Sequence, residues 1–496
     1  MKKTTISQTI FAALCIGFLS LGACKKFLEV EPQGQLTEVN YFKTSNDAVL
    51  GTNAIYNVLR NAFYNEGLYP ILDIMSDDTR KGSNGSDQQG VLNPFDNFTF
   101  NINAEPPANW YNTLYLGVRR ANVVIEKVPE IPMEAPLKNR CLGEARFLRA
   151  LFYLDLIRAF GPVPKITGIN PPVKVPRDTS IYRTVILPDL EFAIANLPST
   201  YTGNDIGRAS KYTAYALRAR AALFFGDFPL AASSANEIII SNIYALEDDF
   251  SNAFRPEGNY GKESIFEVGS IGIDNAGAGG NEFGNTQGVR GSPNRGWGFN
   301  RPSINLMNEF EPGDPRKDKS IIFVNEVIDD VTILGDGSTP DSVVDLTTGA
   351  VIEYETYNQK VWANGQSTLP SWGIHRKLIR YADVLLMAAE ALNETNQQGP
   401  ATTYLNQVRL RARHGNTQIL PDISTSDQAE LRNAIYHERR VELAMESQRF
   451  FDLIRTGRAV TILGPLGFKP NKNERLPIPQ VEIDITQGTI TQNPGW

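Results

Sequence analysis

Lys377-Leu378-Ile379-Arg380-Tyr381-Ala382-Asp383-Val384-Leu385-Leu386-Met387-Ala388-Ala389-Glu390-Ala391-Leu392-Asn393 is the stretch whose reading decides the fold. Leu378, Ala382, Leu385, Ala389 and Leu392 recur at steps of four and three, which is one face of an α-helix. Tyr381, Val384, Ala388 and Ala391 add a second apolar stripe beside the first, so this helix has neighbours on both sides. The small alanines let those neighbours approach closely. Gly399-Pro400 breaks the chain, and Ala401, Tyr404, Leu405, Val408 and Ala412 mark a returning helix. Two antiparallel helices joined by a short turn form a hairpin, the unit from which helical-repeat solenoids are stacked.

Asp427-Gln428-Ala429-Glu430-Leu431 carries a helix-start signal. The pattern predicts one helix running on through Glu438-Arg439-Arg440-Val441-Glu442-Leu443 to Arg455. Arg439 with Glu442, Glu446 with Arg449, Arg449 with Asp452 and Asp452 with Arg455 are spaced i,i+3, close enough to bond across one turn. The reading is an ion-paired structural helix. A catalytic carboxylate needs isolation from arginine to raise its pKa, and each acid here has an Arg nearby.

The blocks Arg380-Tyr381-Ala382-Asp383-Val384-Leu385-Leu386, Glu438-Arg439-Arg440-x-Glu442-Leu443, Arg449-Phe450-x-Asp452-Leu453-x-Arg455, Leu476-Pro477-Ile478-Pro479 and Gln492-Asn493-Pro494-Gly495 resemble, in order, the C-terminal half of the SusD/RagB family of outer-membrane nutrient-binding lipoproteins. Ala121-Asn122-Val123-Val124-Ile125 and the helix around Gly143-Glu144-Ala145-Arg146-Phe147-Leu148 resemble its N-terminal half. The resemblance implies a mainly α protein: a tetratricopeptide-like solenoid of four helical hairpins bearing a loop-rich, partly β insertion. It also implies surface exposure and partnership with a SusC-like TonB-dependent transporter, over which the protein closes as a lid. The expected body is a single domain over 24–496, with helical scaffold at about 44–241 and 378–458 and the insertion at about 242–377.

The first residues fit that placement. Met1-Lys2-Lys3, an apolar run to Leu21 and then Leu21-Gly22-Ala23-Cys24 form a secretory signal over 1–23. Cys24 reads as the acylated residue of a lipobox; the alternative is a plain signal cleaved after Ala23. Cys15 leaves with the signal and Cys141 falls in a helix, so the mature chain holds no intrachain disulfide. Loss of residues 1–23 removes two lysines, leaving 46 basic against 55 acidic residues, a net charge of −9. That balance argues against nucleic acid as a partner.

Further helices are predicted near 46–59, 109–127, 138–160, 182–196, 211–225 and 229–241. Gly226-Asp227-Phe228-x-x-Ala231 resembles a tetratricopeptide turn. After 242 the helical period fades. Glu263–Val268 and Ser320–Val324 read as short strands. Between them, Gly269–Gly298 holds ten glycines in thirty residues. Such a run is either a linker or irregular backbone in close approach to something; Phe283, Trp297 and the neighbouring Phe299 favour the second.

No catalytic constellation emerges. His375, His414 and His437 lie near arginines and outside metal-ligand spacing. Phosphate-binding loops and nucleophile elbows are not found. Asp77-Asp78 lacks any feature marking it as a glycosidase pair, and Asp336-Gly337 with Asp341 does not make an EF-hand loop. The reading is therefore no enzyme, no cofactor and no metal. Binding chemistry is better represented. Sugar rings expose C–H faces that stack on flat aromatics, and hydroxyls are fixed by Asp, Asn and Arg. Asp77, Asp78, Arg80 and Asn84 in the first long loop, and Asn294, Trp297, Trp362 and Trp372 in the insertion, are the candidate ligand-binding residues. For each tryptophan the competing reading is packing of the insertion on the scaffold. The expected ligand is a glycan, taken as an oligosaccharide, with a peptide as the alternative; the competing reading is a lipoprotein scaffold that binds only proteins through its repeats and leaves the insertion aromatics buried.

Overall fold

The structure is a computed structural model that describes residues 42–66, 71–271, 282–337, 342–344, 349, 351–363 and 373–496. The signal segment, Cys24, Asp341 and Trp372 lie outside the described residues.

Ten helices carry the scaffold: α1 (Ser45–Tyr56), α2 (Glu105–Lys127), α3 (Ala135–Phe160), α4 (Leu187–Asn196), α5 (Lys211–Phe224), α6 (Phe228–Ile239), α7 (Tyr381–Glu394), α8 (Gln398–Arg413), α9 (Gln428–Glu442) and α10 (Arg449–Arg455). Their starts are chemically marked. Thr44 and Ser210 close capping boxes, Asp227 caps α6 and Asp427 caps α9, each satisfying amides that the helix itself leaves unbonded. Gly117 brings α2 and α3 together: a Cβ there would lie 2.4 Å from the Phe152 ring.

Consecutive helices pack as neighbours from α2 to α8. The stack does not lapse at the insertion, because α6 lies directly on α7 across it. One apolar core runs through the series, from Ile55 and Trp110 through Phe152 and Leu217 to Leu385 and Leu405. This is a tetratricopeptide-like solenoid from which residues 240–380 loop out and return.

The insertion is closed at its base. Strand β2 (Ser264–Val268) pairs antiparallel with β6 (Arg376–Arg380). Farther out, β1 (Thr79–Gly82) pairs with β3 (Phe299–Pro302), and β4 (Ile321–Phe323) with β5 (Thr356–Asn358). Several small cores hold it, two of them larger than the rest. Leu306, Met307, Phe310 and Ile321 pack on Val441 and Met445; Val289, Ile322, Ile333 and Tyr357 surround Trp362.

Two expectations are corrected. Leu378 is not on a helix face: Arg376–Arg380 is a strand, and α7 begins at Tyr381, whose N–H donates to Glu263 O at 2.8 Å. The helix expected through Arg455 also breaks after Glu442. Met445 and Ser447 adopt φ of +59° and +58°, and α10 restarts at Arg449. Of the four i,i+3 pairs, Asp452–Arg455 forms at 2.8 Å. The other acids and arginines reach across the fold. Arg439 binds Asp383 and Asp452; Glu446 binds Arg380 and Lys360. Glu442 is fully buried among Arg411, Arg380, Arg316 and Lys360. Burial pushes its carboxyl up, but these cations outweigh burial and hold it well below the usual carboxylate range.

Candidate ligand-binding site

The β1–β3 pair places the 80s loop beside the glycine-rich segment. Gly82 has φ +71°, and a Cβ on it would lie 2.5 Å from Gly298 O. The next amide, Ser83 N–H, donates to that same Gly298 O at 2.6 Å. Beyond the strand, Lys81 Nζ donates to Asn84 O at 2.8 Å and Asp87 O at 2.7 Å, curling 83–88 into a compact loop. Arg290 joins the two segments. It donates to Ser83 Oγ at 2.7 Å, pairs with Asp87, and meets Asp336 at 2.7 Å.

The segment bearing Trp297 is equally well tied. Trp297 N–H donates to Asn285 O at 2.9 Å and Gly298 N–H to Gly288 O at 3.0 Å. A Cβ on Gly296 would lie 2.3 Å from Asn285 O, so glycine permits this approach. The result is an indole 45% exposed on a pinned backbone. Asn294 is exposed in the same turn, and Arg80 and Asn84 are half-buried. Arg80 donates to Thr79 O at 2.8 Å; Asn84 Oδ1 accepts from Ser86 N–H at 3.1 Å.

Below β1, Asp96 accepts from Lys81 N–H at 3.0 Å. Burial pushes its carboxyl up to about 7 against the pull of Arg80. Arg301, opposite Arg80 in the ladder, pairs with Glu353 at 2.7 Å.

Three of the expected residues do other work. Asp77 is buried and clamped by Arg449 at 2.8 and 2.9 Å, with Arg440 at 2.9 Å. Asp78 is buried against Arg440 at 2.8 Å. Burial alone would raise both carboxyls. The two arginines outweigh burial at Asp77 and hold it low, whereas burial prevails at Asp78 and keeps it raised. Both acids are structural anchors, not ligand-fixing groups. Trp362 is 2% exposed; its Nε1 donates to Asp329 at 2.7 Å, and the Arg295 guanidinium lies 4.4 Å from its ring centre. It is a packing residue. Ser83, Asp87 and Arg290, which hold the two segments together, were not anticipated. Arg290 is one of two cations, with Arg295, within the glycine-rich run, and that is the one signal that pointed to it.

Residues 262–496 match a family model described as the SusD family, and residues 26–223 match one described as "Starch-binding associating with outer membrane". SusD-like protein P38 of Formosa agariphila is 30% identical over 501 residues, with 94% of each chain covered. The chain belongs to the SusD family. SusD-like protein P2 of the same organism is 29% identical over 531 residues, spanning 100% of both chains. A solved structure named "Laminarin binding SusD-like protein" is 29% identical with a TM-score of 0.74, covering 92% of this chain and 100% of that one.

The blocks that carry the SusD resemblance have physical reasons in this chain. Asn122 accepts from Arg149 at 2.8 Å, and Arg149 grips Asp189 at 2.7 Å, locking α2, α3 and α4. Leu476 N–H donates to Ala159 O at 2.8 Å. Asn493 Nδ2 donates to Phe160 O at 2.9 Å and Leu476 O at 2.7 Å, so the C-terminal segment closes the end of α3.

Proposed function

We propose that this SusD-family protein binds oligosaccharide at the outer membrane, non-catalytically, through the face formed by the 80–87 loop and Asn294–Trp297. The observation that carries the reading is the exposed Trp297 indole. Its backbone is fixed by hydrogen bonds on both sides, so a ligand meets a rigid flat ring and binding costs little ordering. Arg80 and Asn84 supply polar groups for hydroxyls across the strand pair. The laminarin-binding relative and the starch-binding family description favour a saccharide over a peptide.

Capture then serves import. Lipid on Cys24 anchors the body, and the protein closes over a SusC-like TonB-dependent transporter, trapping ligand that the barrel takes up. The solenoid faces the barrel, since stacked helices present a broad surface. Several acyl chains hold a lipoprotein stably where one does not. Cys24→Ala is expected to move the protein from the membrane to the soluble fraction. Retention at high salt without the transporter contradicts that anchor. A panel of neutral oligosaccharides and peptides tests the ligand class: saccharide binding without turnover is expected, and binding of peptides alone overturns it.

A further inference from the structure

A cleft of about 610 Å³ opens between the end of α1, the 203–209 loop and the run from Tyr260 to Ile271. Its size suits a small ligand. Tyr260 forms part of its wall and also borders a polar depression of about 240 Å³. The side chain is 42% exposed, and its φ is +52°. That left-handed backbone is an outlier for a bulky residue.

The surroundings enforce it. Tyr260 N–H donates to Glu267 Oε1 at 2.8 Å. Glu267 is fixed in turn by His375 Nδ1 at 2.7 Å and by Lys377. The His375 and Tyr260 rings meet at 68°, centres 5.0 Å apart. Two glycines make room. A Cβ on Gly207 would lie 2.6 Å from the Tyr260 ring, and one on Gly269 would lie 2.2 Å from its hydroxyl. Strain of this kind survives where neighbours over-determine it, and it gathers at ligand sites.

The rest of the wall supplies neutral polar groups. Asn53, Asn57 and Asn204 are exposed along the cleft. Arg208 fixes the Asn53 amide through a 2.9 Å bond. The charges are matched: Arg208 pairs with Glu144 at 2.9 Å and Asp205 at 2.6 Å, and Glu267 with His375 and Lys377. Arg60, also in the wall, is not free either.

A held aromatic ring, exposed amides and balanced charge fit an uncharged polyhydroxylated ligand. Amides donate to and accept from hydroxyls, and the ring covers a C–H face. We infer that this cleft is a second oligosaccharide-binding site, distinct from the Trp297 face, in which one sugar stacks on Tyr260. The chain continues from there into the adjoining depression. The inference rests on the saccharide reading above.

Calorimetry with a panel of neutral hexasaccharides, laminarihexaose included, tests it on the full mature chain. Trp297→Ala is expected to retain residual binding, and adding Tyr260→Ala to weaken that binding about tenfold or more. Tyr260→Phe keeps the ring and retains affinity. Asn57→Ala, at an exposed position, weakens binding with no change in Tm, so a folding defect in Tyr260→Ala leaves the test intact. Loss of all binding in Trp297→Ala, or full affinity in both Tyr260→Ala and Asn57→Ala, overturns the second site and leaves the first standing. A parent that binds no panel member overturns both.

Discussion

Arg449 makes its ion pair with a carboxylate 372 positions away in the chain, at Asp77. Both are buried, so removing the cation strands a charge from which water is excluded. Arg449→Ala is expected to lower stability by about 3–5 kcal/mol, measured by denaturant unfolding; an unchanged midpoint contradicts a buried role. Asp96 offers a pH test. Its ordinary value is 3.8 and its folded value about 7, so between those limits the folded state binds the extra proton. The stability contributed by the neutral carboxyl is full below about pH 4 and is lost as pH rises through about 7. Asp96→Asn should therefore lose less stability than the parent between pH 4 and 7. Parallel Tm profiles for the two proteins contradict this assignment. At this scale the sequence misled on Asp77 and Asp78 for a plain reason. Two adjacent acids look free until the fold brings Arg440 and Arg449 to them.

Among the elements, the α7–α8 hairpin was legible because its apolar positions repeat with the helical period over two full helices. The break after α9 was not. Leu443, Ala444, Met445 and Glu446 all favour helix locally, but tertiary bonds override them: Glu446 turns to Arg380 and Lys360, and Ser447 N–H donates to Asp73 at 2.8 Å. Strand β6 was hidden in the same way, since Lys377-Leu378-Ile379-Arg380 continues the apolar pattern of α7. Strand β1 had no alternation to reveal it, as Thr79-Arg80-Lys81-Gly82 is polar throughout. That strand nonetheless builds the candidate site. Gly82→Ala would set a Cβ against Gly298 O in a left-handed backbone, so a stability loss of about 1–3 kcal/mol is expected, with weaker ligand binding. A variant as stable as the parent and with normal affinity contradicts the role given to the β1–β3 pair.

Across the whole molecule, the solenoid packs continuously past its own insertion, and the insertion is fastened back by β2–β6 and by buried ion pairs radiating from α9. This division separates tasks. Stability lies in the helices and their charge network, while the proposed ligand face lies on loops held by glycines and backbone hydrogen bonds. Exposed side chains on that face, unlike the glycines that shape it, can accordingly be changed with little effect on folding. The central claim is that Trp297 meets the ligand. Titration calorimetry of a panel saccharide bound by the parent, repeated on Trp297→Ala and Arg80→Ala, tests it most directly. Stacking removes apolar area from water at about 25 cal/mol per Å², so a modest shared face gives ~1.4 kcal/mol, or about a tenfold loss of affinity. The expected result is that loss in Trp297→Ala, a comparable one in Arg80→Ala, and a Tm within experimental scatter of the parent. Normal affinity in both variants contradicts the site, and a large fall in Tm for Trp297→Ala would mean that the indole packs the fold instead.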